Sequence, residues 1–168
     1  LYESLGYQRV PAFGDYREAY KLYSGTLPQE TNEFRAAALF GQALTFYKQE
    51  DYFQSNRILN DLINKYPATL PAARAHYILG EVALAEDHKD EALAEFQAYS
   101  TARAGVIDNV VFEKIGDLLL EDGQAEAAFE AYKTSYLAAP TTDNLSLAQK
   151  VAEGYVNLGE SQAAIDIY

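Results

Sequence analysis

The sequence predicts an all-α fold of stacked helix hairpins, and three observations predict it. Small residues recur at Ala43, Gly80, Gly116 and Ala152, separated by 37, 36 and 36 residues. Within each period apolar residues return at steps of three and four, the rhythm of a helix that buries one face. Seven positions after each small residue stands a turn signal: Glu50-Asp51-Tyr52, Asp87-His88-Lys89, Gly123-Gln124-Ala125 and Gly159-Glu160-Ser161. Each period therefore holds a helix, a tight turn and a second helix, the building block of helical solenoids.

The elements follow in chain order. Residues 1–32 form a degenerate or partial N-terminal repeat: Asp15 to Tyr23 reads as a second helix with Glu18 at capping-box spacing from Asp15, and Pro11 shortens the helix before it. Residues 33–168 form the regular array, with units at about 36–67, 73–104, 109–140 and 145–168, the last one truncated. In the first unit Asp51 and Gln54 have capping-box spacing, Ile58, Leu59, Leu62 and Ile63 form an apolar stripe, and Pro67 ends the second helix. Pro140 closes the third unit in the same way, and Ala104 stands at the corresponding place in the second. Small residues at Ser55, Ala92, Ala128 and Ala164 let paired backbones approach, with large ones following at Leu59, Phe96, Tyr132 and Tyr168. The chain opens without Met and stops inside an amphipathic run, so it is expected to be a piece of a longer protein.

Composition narrows the function. Of 168 residues, 25 are Asp or Glu and 13 are Lys or Arg, giving a net charge of −12 that repels phosphate backbones and anionic lipid surfaces. Nucleic acid and membrane insertion are therefore not expected. Without Cys there is no thiolate nucleophile and no Cys-ligated metal. No phosphate-binding Gly loop, His-Glu-x-x-His helix or Gly-x-Ser-x-Gly elbow is present. The two histidines fit bland roles: His76 as a half-buried packing residue and His88 in a solvated turn. No catalytic, cofactor or metal residue is assigned.

The spacing of Ile115-Gly116, Leu119, Gly123, Ala128, Tyr132 and Pro140 resembles the tetratricopeptide repeat family, and the other units match in part. That resemblance implies a right-handed superhelix whose first helices line a concave face for protein segments. It places the candidate groove at Phe40, Leu44, Tyr47, Arg74, Tyr77 and Glu81 in the first two units. In the last two it places Glu113, Asp117, Glu121, Gln149 and Glu153, with Lys150 among their neighbours. Phe40, Leu44 and Tyr77 have two readings, packing against adjacent helices or lining the groove. Some family members grip a C-terminal carboxylate with a Lys/Asn/Arg clamp; Phe40, Leu44, Tyr77 and Glu81 stand at the matching positions here. An apolar and acidic groove is expected to prefer neutral or basic segments.

The expected function is thus a non-catalytic interaction scaffold. The alternative is the helical accessory arm of a larger bacterial envelope enzyme. Lys65-Tyr66-Pro67 followed by Ala72-Ala73-Arg74-Ala75 is similar to repeat-bearing envelope proteins, including the arms of lytic transglycosylases. On that likeness the expected location leans to the bacterial envelope or periplasm, with the cytoplasm as the other possibility.

Overall fold

A computed structural model describes residues 32–103, 105–138 and 145–167, which contain eight helices and no strand. They are α1 (Asn32–Lys48), α2 (Tyr52–Lys65), α3 (Leu70–Ala85), α4 (Lys89–Ala102), α5 (Asp108–Glu121), α6 (Ala125–Ala138), α7 (Leu145–Asn157) and α8 (Ser161–Ile167). The helix breaks fall at the four predicted turns. The expected N-terminal repeat over residues 1–32 lies outside the described residues except for Asn32, which begins α1; Ala104, Pro140 and Tyr168 also lie outside them. The chain forms two compact units, one ending at Asp87 and one starting at His88.

In the first unit α1 packs on both α2 and α3, and α2 packs on α3. Its core joins Ala36, Leu39 and Ala43 of α1, Ile58, Leu59 and Leu62 of α2, and Ala72, Ala75 and Leu79 of α3. The predicted α2 stripe is therefore the face that meets both neighbours. The Asp51 carboxylate accepts from the Gln54 N–H at 3.1 Å, the cap that the spacing predicts. The first and third helices start earlier than expected, at Asn32 and Leu70. Thr69 explains the second case: its hydroxyl caps Ala72 N–H, and Pro71 fits the first turn because no intrahelical donor is needed there. The Glu33 carboxylate accepts from the Leu70 N–H, joining the starts of α1 and α3 one repeat apart.

In the second unit consecutive helices pack from α4 to α8. Phe96, Val111, Leu147 and Val151 are fully buried, and Tyr132 is nearly so. Gly116 is the predicted point of close approach. A Cβ there would stand 2.5 Å from the Tyr132 ring, so only glycine lets α6 lay that ring against α5. Gly154 makes the same concession to Phe129, whose ring also meets Tyr155 edge-on at 5.1 Å. Buried Ser135 donates to the Asn109 carbonyl, tying α6 to the first turn of α5.

Three of the four predicted turns share one device. Asp51, Gln124 and Glu160 each donate an N–H to the carbonyl five residues back (Phe46, Leu119 and Tyr155). The residue before each, Glu50, Gly123 or Gly159, is left-handed, with φ of 60°, 79° and 78°. This is the Schellman stop. The carbonyls of Asp51, Gln124 and Glu160 then accept from Ser55, Ala128 and Ala164, so one residue ends a helix and begins the next.

Candidate functional site

The candidate residues all lie on first helices, and each unit carries its own set. In the first unit Phe40, Leu44 and Tyr47 lie three and four positions apart on α1, and Arg74, Tyr77 and Glu81 do so on α3. Leu44, Tyr47, Tyr77 and Glu81 are half-buried and Arg74 is exposed. Phe40 packs against the core cluster, so at this residue the packing reading holds in part. The Tyr47 ring lies 6.1 Å from Tyr52, with the Lys48 ammonium 5.4 Å from its centroid. Burial, then the Glu81 charge and then Tyr52, hold the Tyr47 phenol above its usual pKa.

In the second unit Glu113, Asp117 and Glu121 follow at steps of four along α5, and Gln149 and Glu153 do so on α7. The structure brings Glu113 and Asp117 together around Lys150 of α7. The ammonium is 2.6 Å from Asp117 Oδ1 and 3.3 Å from Glu113 Oε1, and 4.8 Å from the Tyr132 ring centroid. The Tyr132 hydroxyl donates to the same Asp117 oxygen at 2.7 Å. Burial, the Asp117 hydrogen bond and nearby carboxylates push the Tyr132 phenol well above its usual range. Burial works against the Lys150 charge, but Asp117 and Glu113 outweigh it and hold that pKa above its usual value.

Glu121 is drawn elsewhere, to Lys89 of α4 at 2.8 Å. Glu153 accepts from Gln149 Nε2 at 2.9 Å and stays exposed. The acidic strip expected on this unit is therefore partly neutralised from within the chain. Lys150 is the residue whose weight sequence reasoning missed; its spacing of 33 from Asp117, just under one repeat, was the available signal. A hollow of about 500 Å³ between α7 and α8 was also not foreseen; Ala152, Val156, Ala164 and Ile165 line it together with Glu153, Asn157 and Ser161.

His76 is half-buried, while His88 is exposed and 3.8 Å from Glu91. Among the described residues no group of three or more His, Asp or Glu side chains could hold a metal ion. Among them, too, no helix is long and apolar enough to cross a membrane.

The family model described as "Tetratricopeptide repeat" matches residues 37–69, which span most of α1, all of α2 and the turn that follows. No curated protein matches the sequence. Among solved structures the chain is similar to a crystal structure of MamA, at 20% identity and a TM-score of 0.63, covering 92% of this chain and 85% of that one. It is also similar to MamA from residue 41 to the end from Desulfovibrio magneticus RS-1, at 17% identity and a TM-score of 0.60, covering 92% and 90%. At these identities the likeness is one of fold. Residues 37–69 match the tetratricopeptide repeat, and the chain shares the all-α helical-hairpin solenoid fold of these solved structures.

Proposed function

We propose that this chain is a non-catalytic scaffold that binds protein or peptide segments on its first-helix faces, with a preference for neutral to basic ones. The observation that carries this reading is the face of the first unit. There Leu44, Tyr47 and Tyr77 are half-buried on neighbouring helices, and Glu81 follows one turn after Tyr77 on α3. Aromatic rings held by packing give a binding surface large contact area at low entropic cost, and a nearby carboxylate favours a cationic or hydrogen-bond-donating segment. The fold supports the same reading, because repeated hairpins present side chains along a surface rather than around a reacting atom. In the second unit the polar side chains hold helices together or stand in solvent.

The test is fluorescence polarisation against labelled peptides that share an apolar pattern and differ in charge. Basic and neutral peptides bind and acidic ones do not. Tyr77→Ala and Glu81→Gln each weaken binding measured well below the melting temperature of either variant. Peptide affinity indifferent to both substitutions sinks the reading.

A further inference from the structure

The second unit holds an ammonium group in a seat made by three other side chains, Asp117, Glu113 and Tyr132. Tyr132 is 3% exposed, so its ring is fixed, and its hydroxyl pins the Asp117 carboxylate. Glu113 closes the other side. Lys150 reaches this point on a flexible four-carbon stem with 27% of its side chain exposed, and Asp117 is 50% exposed. A cation arriving from solvent on the first-helix face can therefore touch the same carboxylate.

The repeat register shows that this is a device and not a stray surface pair. Lys114 and Lys150 stand 36 residues apart, and so do the aromatic residues beneath them: Lys114 lies 5.7 Å from the Phe96 ring centroid and Lys150 4.8 Å from that of Tyr132. Only the second ring carries a hydroxyl to fix a carboxylate. At the matching positions the first unit carries Gly41 and Ile78, so the lysine is confined to the second unit.

We infer that Lys150 is an internal competitor: its ammonium fills a seat formed by Asp117, Glu113 and the Tyr132 ring that fits a lysine or arginine side chain of a bound segment. This rests on the first-helix faces being the binding surface. A basic segment gains the seat by displacing Lys150 into solvent, and a neutral segment leaves it in place. Lys150 is then the residue that sets how strongly the surface favours basic partners. The exchange is feasible because a partly exposed ion pair is weak, and an arginine meets a carboxylate with two parallel bonds where lysine makes one.

The experiment compares two labelled nonapeptides, one alternating Leu with Lys and one alternating Leu with Ser. Lys150→Met removes the charge but keeps an aliphatic stem over Tyr132. It binds the Leu/Lys peptide about threefold to tenfold tighter than the parent protein and the Leu/Ser peptide equally. Lys65→Met makes the same change in net charge on α2 and shows no such gain. Adding Asp117→Asn to Lys150→Met abolishes the gain. In the unmodified protein the Leu/Lys peptide shifts the Tyr132 ring resonances and the Leu/Ser peptide does not, a readout independent of how the variants fold. Unmoved Tyr132 resonances, or an equal gain from Lys65→Met, overturn the inference while peptide binding itself stands. Failure of the unmodified protein to bind either peptide overturns both the inference and the proposed function.

Discussion

At the scale of single residues, the second unit is organised around Tyr132, which accommodates Gly116 beneath its ring, donates its hydroxyl to Asp117 and lies under Lys150. Two predictions follow from its place. Gly116→Ala puts a methyl into the ring's space, and because Tyr132 is buried on α6 it cannot swing away; the expected loss is about 1–3 kcal/mol in urea unfolding. The second concerns alkaline pH. Tyr132 and Lys150 both have folded pKa values raised above their ordinary values of 10.0 and 10.5. Groups of this sign contribute stability that is fully present below the ordinary value and lost as pH rises through the folded one. Stability is therefore flat from neutral pH to about 9 and falls above about 10. Tyr132→Phe should lower stability at neutral pH by about 1 kcal/mol and flatten the alkaline fall. An alkaline profile unchanged in Tyr132→Phe would assign that fall to other groups.

At the scale of elements, the helix breaks and the buried small residues were legible in the sequence because they repeat. Ala43, Gly80, Gly116 and Ala152 are all buried, as are Ser55, Ala92, Ala128 and Ala164, since each hairpin solves the same packing problem. The early start of α3 was less legible, because a single Thr cap leaves no periodic trace. The pairing of Lys150 with Asp117 and Glu113 was hidden for another reason: amphipathic patterning says which face a side chain occupies, not which neighbour it reaches. The turns allow a direct test. Glu50 and Asp87 adopt φ near 60° where the later turns use Gly123 and Gly159. Relief of left-handed strain outweighs the added chain entropy, so Glu50→Gly and Asp87→Gly each stabilise by up to about 1 kcal/mol. Gly123→Ala loses about the same. All three are read from urea midpoints at constant slope, and a loss of stability in Glu50→Gly would show that its side chain matters more than its backbone. Helix α8 has seven residues and buries Ala164, so its amides should be the first in the second unit to lose protection in native-state hydrogen exchange, well before those around Val111 and Val151.

At the scale of the whole molecule, charge is the dominant unbalanced quantity. Twenty-five carboxylates face thirteen Lys and Arg, leaving −12. Two effects of added salt compete. Screening weakens local attractions such as Lys65–Asp61, Lys89–Glu121 and Lys133–Glu130, but most of these side chains are well exposed, and such pairs contribute about 0–1 kcal/mol each. Screening also relieves the repulsion among the surplus carboxylates, which acts over distances up to the Debye length, about 30 Å at 10 mM salt and about 8 Å at 150 mM. The repulsion is summed over the whole acidic surface while the pairs are few, so its relief wins. The melting temperature at pH 7 should rise by about 2–5 °C between 10 and 300 mM NaCl. The Lys150 cluster is the part of the molecule that should respond least to added salt, because the Lys150 side chain is 27% exposed and its attraction is screened least. Lys150→Met should therefore melt lower than the parent at every salt concentration and show a steeper rise, since it exposes two more carboxylates to mutual repulsion. A melting temperature that falls with NaCl in the parent protein would mean that local ion pairs, and not net charge, govern its stability.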